Sequence, residues 1–352
     1  MTTARVDLIQ GVANIIADYR AGEIPPPDAA HVERWIGQFP KDVQEPLLAE
    51  MAHVLTATYI NRSTVEQFLR GLVTNEGLAG KDHCAFWEKA NIRKEQGNGN
   101  SQRELVAVFG AALKESCGLE LAECGSPNGA YIYIDDGVFS GDRALQDLRQ
   151  LVSESSQSSL NIHVVVIALY SGGSYWLETA LKKHAEALGK SVALTIWRVI
   201  ELENRKAYRN SAEVLWPISL PDDEAVQNYA TSQRFRFEAR TSGGSLTYPV
   251  FSSEDGRQLL EREMLLTGVR IKGLSNSSDI VRPLGYSRFS LGFGATVVTY
   301  RNCPNNCPLA WWWGDPKAHK NHPFSKWYPL LPRKTYRKED DPAPFPVIRF
   351  VS

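Results

Sequence analysis

The 352-residue sequence has no long apolar run: the longest, such as residues 164–169, fall far short of the roughly 20 residues that cross a bilayer. The opening residues, Met1 to Leu8, lack the apolar core of a signal peptide, so no membrane partner and a cytoplasmic location are expected. A surplus of either charge is missing too. Lys and Arg number 39 against 40 Asp and Glu, a net charge of −1, which excludes a global basic field for nucleic acid or anionic lipid. Any polyanion contact has to be local. Cysteine is scarce: Cys84, Cys117, Cys124, Cys303 and Cys307 are an odd set spread thinly along the chain. That is unlike a disulfide framework, and reduced thiols are expected. Internal repeats are absent, and the one biased stretch is a short Ser cluster at residues 153–159.

What is present suits a globular protein with a sizeable core: 43% hydrophobic and 22% charged residues. At roughly 100 to 200 residues per domain, the length predicts two domains, or one large domain with an appended region. Three regions differ in pattern. Residues 1–80 carry helical periodicity, with Val6, Ile9, Val12, Ile15 and Ile16 on one face and Leu47, Leu48, Met51, Val54 and Leu55 on another. About four short helices are predicted, punctuated by Pro25 to Pro27 and Pro40, with Ser63 as the cap of one running to Leu72. Residues 81–220 alternate apolar runs at 131–134, 162–169 and 192–200 with helical segments at 103–114, 143–152 and 175–188. Runs of this kind suit strands buried on both faces. The alternation predicts an α/β fold, a doubly wound, mostly parallel sheet with ligands bound beyond the carboxyl ends of its strands. Residues 221–352 read as a mixed α+β extension: strands at 235–239 and 296–300, a helix over 256–266 starting near Ser253, and a Pro-rich, aromatic and basic tail packed over the domain.

The most informative segment runs from Tyr131 through Asp135-Asp136-Gly137-Val138-Phe139-Ser140-Gly141-Asp142-Arg143. Two carboxylates at the end of a buried strand can accept hydrogen bonds from the vicinal hydroxyls of a ribose. Small residues after them let backbone amides face an anion, and the following helix adds partial positive charge. A sugar phosphate satisfies both halves, while a helix N-cap accounts for one acid only. Competing motifs fail on the same residues. A dehalogenase-type phosphatase needs an acid two positions before Asp136, where Ile134 stands, and a phosphate loop of the Walker type needs more than Gly80-Lys81-Asp82. Gly97-Asn98-Gly99-Asn100-Ser101-Gln102 departs from the dinucleotide fingerprint at Gln102, but it precedes a helix and is a candidate for a second anion. Its other reading is a surface loop. Tyr170-Ser171-Gly172-Gly173 either lines the pocket or forms a simple turn.

The segment at residues 131–143 resembles the signature with which phosphoribosyltransferases bind 5-phosphoribosyl 1-pyrophosphate (PRPP), although Phe139 and Arg143 stand where that family has a small or hydroxyl residue and a closing Thr. The resemblance implies a phosphoribosyltransferase-like fold. It also implies that Asp135 and Asp136 are the catalytic acids on the ribose diol, and that Gly137, Val138, Phe139, Ser140, Gly141, Asp142 and Arg143 cradle the 5′-phosphate. Gly97 to Gln102 would then take pyrophosphate with Mg²⁺, the ion being held through the substrate rather than by a protein cage. Residues 120–128 leave little room for a long catalytic loop over the substrate.

Gly285-Tyr286-Ser287-Arg288-Phe289, Gly292-Phe293-Gly294 and residues 300–314, with the triple Trp311-Trp312-Trp313, combine with the helical start around residues 31–39. Over most of its length the chain thereby resembles the phosphoribosyltransferase-like family of bacterial conflict systems, the retron-associated PRTase-CE type. That resemblance implies an anti-phage effector acting on PRPP or a nucleotide, or a degenerate sensor docking on a retron reverse transcriptase and its RNA/DNA product. Arg301, Asn305 and Asn306 are candidates to cover the pocket or to form a structural turn. Cys303 and Cys307 with His319 and His322 have the residue types of a zinc site, but the prolines and tryptophans between them oppose a finger. Lys326, Arg333, Lys334, Arg337 and Lys338, interleaved with aromatics, are nucleic-acid candidates, or else a solvated tail anchored by its rings.

Overall fold

A computed structural model describes residues 3–92, 100–244 and 249–333. They form two units, Met1–Asn61 with Asn204–Ser352, and Arg62–Glu203. The first unit opens with α1 (Thr3–Ile15), α2 (Ala29–Ile36), α3 (Gln44–Thr58) and the short β1 (Tyr59–Ile60). The second contains α4 (Arg62–Val73), α5 (Glu76–Ala79), α6 (His83–Lys89), β2 (Asn91–Ile92), α7 (Asn100–Cys117), β3 (Tyr131–Val138), α8 (Asp142–Glu154), β4 (Ser159–Tyr170), α9 (Ser171–Ala187) and β5 (Ser191–Leu202). The chain then returns to the first unit with α10 (Glu224–Ser232), α11 (Glu254–Lys272), β6 (Val298–Thr299) and α12 (Leu309–Trp312).

The first unit joins the two ends of the sequence. The apolar stripes of α1 and α3 bury Ile9, Val12, Leu47, Leu48, Met51 and Val54, and C-terminal segments cover them. Trp35 Nε1 donates to the Ala310 carbonyl at 2.9 Å, Tyr19 Oη donates to the Pro332 carbonyl at 3.0 Å, and β1 pairs in parallel with β6. The regions 1–80 and 221–352, separate in the sequence pattern, therefore share one core up to Asn61. Trp311, Trp312 and Trp313 are buried in that core, so the aromatic tail up to residue 333 is part of the unit's interior. Ser253 caps α11 by accepting from Gly256 N–H at 3.0 Å. Residues 235–239 are not a strand: Trp216 Nε1 and Arg209 Nε take the Glu238 and Ala239 carbonyls at 2.7 and 3.1 Å, positions that a neighbouring strand would need. Of the strand expected at 296–300, only Val298–Thr299 pairs.

In the second unit four parallel strands lie in the order β2-β3-β4-β5. Tyr133, Leu160, Val164 and Val166 share one face with Leu145 and Leu148 of α8 and Leu177 and Leu181 of α9. Ile132 and Ile134 alternate to the other face, as does His163, whose ring lies 6.2 Å from Phe86 of α6. The strands follow chain order, so no reversal of order creates a switch-point crevice among the described residues. β4 is buried almost throughout, as its apolar run predicts, but β5 is half-exposed until Ile200. Among the described residues it is an edge strand, with a neighbour on one side. α4 begins at Arg62, so Ser63 falls inside its first turn rather than capping it.

One further expectation changes. Cys84 and Cys117 are joined in a disulfide with Cα atoms 5.4 Å apart, linking α6 to the end of α7. The thin spacing along the sequence concealed a pair that α6 and α7 bring together. Among the described residues no helix is long and apolar enough to cross a membrane.

Candidate functional site

β3 continues through Asp135 and Asp136 to Val138, with Asp135 opposite Val166, Gly137 opposite Ala168 and Val138 opposite Leu169 of β4. Two of the residues expected in the cradle therefore lie in the sheet. Gly137 and Val138 are ladder residues, and the buried Val138 side chain belongs to the core, because a strand that can keep pairing buries an apolar residue rather than exposing it. The loop proper is Phe139, Ser140 and Gly141, and Asp142 and Arg143 open α8. Gly141 stands at the helix cap with φ +81°, a backbone angle that favours glycine, and a Cβ there would lie 2.5 Å from the Gly173 carbonyl oxygen. Gly173 is equally confined, since its Cβ would lie 2.0 Å from the Phe139 carbonyl oxygen. Ser171, Gly172 and Gly173 thus form the first turn of α9 and back the loop.

Phe139 turns its ring inward. It lies 5.1 Å from the Tyr170 ring, and its Cε2 would be 2.9 Å from a Cβ on Gly137. Part of the bend is therefore filled by an aromatic side chain. Asp142 Oδ1 accepts from Trp176 Nε1 at 3.1 Å, which brings the exposed indole of α9 to the rim of the loop.

The two acids differ because the strand persists between them. A strand sends successive side chains to opposite faces, so Asp135 lies on the Tyr133 face and Asp136 on the other. Asp135 Oδ1 accepts from the Asp136 amide at 2.8 Å, and its Oδ2 accepts from Tyr133 Oη at 3.0 Å. Burial, and then the neighbouring Asp136 charge, push the Asp135 carboxyl up to about 6. Tyr133 Oη also lies 3.0 Å from Asp147 Oδ2, which takes Arg143 Nε at 3.2 Å. Arg143, expected to face a phosphate, makes this ion pair along α8. Tyr133 and Asp147 were not singled out from the sequence. Their signals were the two-residue step from Tyr133 to Asp135 and the four-residue step from Arg143 to Asp147.

Of the second-anion candidates, Gly97, Asn98 and Gly99 lie outside the described residues. Asn100 and Ser101 open α7, which follows β2, a strand whose carboxyl end shares the sheet edge with that of β3. Gln102 is buried, and among the described residues neither its Nε2 nor its Oε1 has a hydrogen-bond partner.

Arg301, Asn305 and Asn306 belong to the first unit. There Arg301 is buried, the Asn305 carbonyl accepts from Tyr286 N–H at 2.8 Å, and Asn306 Nδ2 donates to the Tyr286 carbonyl at 3.0 Å. These contacts are those of a structural turn. Lys326 lines an open cavity of about 190 Å³ with Arg34, Gln38 and Tyr328. Arg333 points inward, 5.8 Å from the Trp312 ring, while Lys334, Arg337 and Lys338 lie outside the described residues. Cys303 and Cys307 are buried, and His319 and His322 accept from nearby backbone amides. Among the described residues the one group within reach of a single ion is His83, Cys84 and Cys117, whose sulfurs are bonded to each other.

A parallel α/β sheet, an acidic pair late in a central strand and a glycine-capped helix directly after it together describe a phosphoribosyltransferase-like protein. The sequence model of the PRTase-CE family matches residues 32–333, and the chain belongs to that family. No curated protein and no solved structure matches it.

Proposed function

We propose that the protein binds the ribose phosphate of PRPP or of a nucleotide at the end of β3 and makes or breaks an N-glycosidic bond there. The observation that carries this reading is the position of Asp135 and Asp136 late in a buried parallel strand, with a left-handed glycine five residues after Asp136 and a 13-residue helix directly after it. Ionised carboxylates accept strongly from sugar hydroxyls, and the first turn of α8 offers amides to an anion. Asp135 and Asp136 flank the strand end, so the sugar would lie across it rather than to one side. Mg²⁺ would arrive with the substrate's own pyrophosphate, held through the substrate rather than by a cage of protein ligands, while Asp135 and Asp136 take the ribose hydroxyls. When bound, Mg²⁺ neutralises charge on the departing pyrophosphate. The protein's own contribution is orientation: Gly141 sets the angle of α8, and Tyr133 fixes Asp135.

Phe139 favours a second reading. With its ring against Gly137 and Tyr170, the bend has less room for a phosphate, as expected of a catalytically degenerate sensor or docking subunit for a reverse transcriptase and its RNA/DNA product. The family resemblance supports a retron-type anti-phage setting in the cytoplasm for either reading. Calorimetry with PRPP and MgCl₂ tests the site: wild type is expected to bind saturably and Asp136→Asn at least about tenfold more weakly, the loss of one charge-assisted contact. Absence of wild-type binding overturns the ligand assignment. Pyrophosphate release in the presence of nucleobases assigns turnover, and binding without release assigns sensing.

A further inference from the structure

Tyr133 Oη stands 3.0 Å from Asp135 Oδ2 and 3.0 Å from Asp147 Oδ2. A phenol has one proton to donate. If both carboxylates are ionised, one of the two contacts sets an oxygen lone pair against a carboxylate oxygen. One further proton removes the conflict and gives every oxygen a consistent role. The cluster has a direction, because Asp147 Oδ2 also accepts from the Arg143 guanidinium, whereas Asp135 is held by Tyr133 and the Asp136 amide. The groups facing Asp135 are Tyr133 and Asp136 on its own strand, Arg143 and Asp147 on α8, and apolar Val166 on β4.

We propose that Asp135, Tyr133 and Asp147 form a directed proton-holding chain, in which the Asp135 carboxyl donates to Tyr133 Oη and the Tyr133 hydroxyl donates to Asp147, and that filling the site expels the Asp135 proton. The proposal rests on the ribose-phosphate reading of this strand end. On binding, the Asp135 O–H bond breaks and its proton passes to solvent. The phenolic hydrogen then turns from Asp147 to Asp135, Arg143 keeps Asp147 paired, and no other covalent bond changes. Tyr133 and Asp147 are positioning residues, acting on the ligand through Asp135. Two shifts agree with this geometry. Burial, then Asp136, raises the Asp135 carboxyl to about 6, and burial, then both carboxylates, pushes the Tyr133 phenol well above its ordinary value, so the phenol keeps its proton.

The chain can be read without any ligand. In protein labelled with ¹³C at the aspartate carboxyls, with signals assigned through Asp135→Asn and Asp147→Asn, the Asp135 and Asp147 resonances are expected to move together with a midpoint near 6. In Tyr133→Phe, which keeps the packed ring, Asp147 should cease to follow Asp135. An Asp147 signal that ignores the Asp135 titration in wild type, or still follows it in Tyr133→Phe, overturns the chain. With PRPP and MgCl₂ as the probe, wild-type affinity is expected to rise up to tenfold per pH unit below the midpoint and to level off above it, with the midpoint displaced in Tyr133→Phe. Affinity that stays flat from pH 5 to 8 refutes the linkage. If the resonances couple but PRPP binds at no pH, the ribose-phosphate reading fails while the proton chain stands.

Discussion

Replacing Asp135 by Asn should make the second unit more stable at neutral pH while impairing the site. In the folded protein the carboxyl is raised to about 6 by burial and by Asp136, about two units above an ordinary carboxyl, and each unit corresponds to about 1.4 kcal/mol. The sign follows from which state binds more protons. Below about pH 4 Asp135 is protonated in both folded and unfolded chains and imposes no penalty. Between about 4 and 6 the unfolded chain ionises first and stability falls; above about 6 the penalty is constant at about 2 to 3 kcal/mol. Asn carries no charge and can donate from Nδ2 to Tyr133 Oη as the protonated acid does, so Asp135→Asn should gain about 2 kcal/mol at pH 8 and little or nothing at pH 4. Urea unfolding followed by tryptophan fluorescence at the two pH values measures the difference. A variant less stable than wild type at pH 8, or a gain that is the same at both pH values, would refute the electrostatic account and return Asp135 to the role of a simple structural acceptor.

Two further outcomes test the surroundings of the site. Gly141→Ala places a Cβ against the Gly173 carbonyl at an unfavourable φ, and should cost about 1 to 3 kcal/mol in urea unfolding and weaken PRPP binding; unchanged stability would mean that the loop is not confined by α9. Cys84→Ser opens a disulfide spanning 33 residues, and should lower stability by about 3 kcal/mol under oxidising conditions. Adding a thiol reductant should bring wild type close to the variant, and a wild type indifferent to reductant would count against the bond between α6 and α7.

Apolar periodicity and motif spacing were enough to set the local elements and the place of the acidic pair. Period-2 and period-3.6 apolar patterns depend on neighbours a few residues away, so β3, β4, α8 and the Ser253-capped α11 were legible, and so was the acidic pair late in a strand. Tertiary structure alone decided everything that depends on distant partners. It showed that residues 1–61 complete a core with the C-terminal tryptophans, that β5 is an edge, that residues 235–239 give their carbonyls to side chains, and that Cys84 meets Cys117. It also reshaped the site. Whether β3 ends at Asp136 or runs on to Val138 depends on β4 offering further ladder positions, and those two residues of extra pairing take Gly137 and Val138 out of the loop and bring Phe139 beside Tyr170. A linear pattern records which residues are adjacent; which face each one takes is settled only where the partner strand stops pairing.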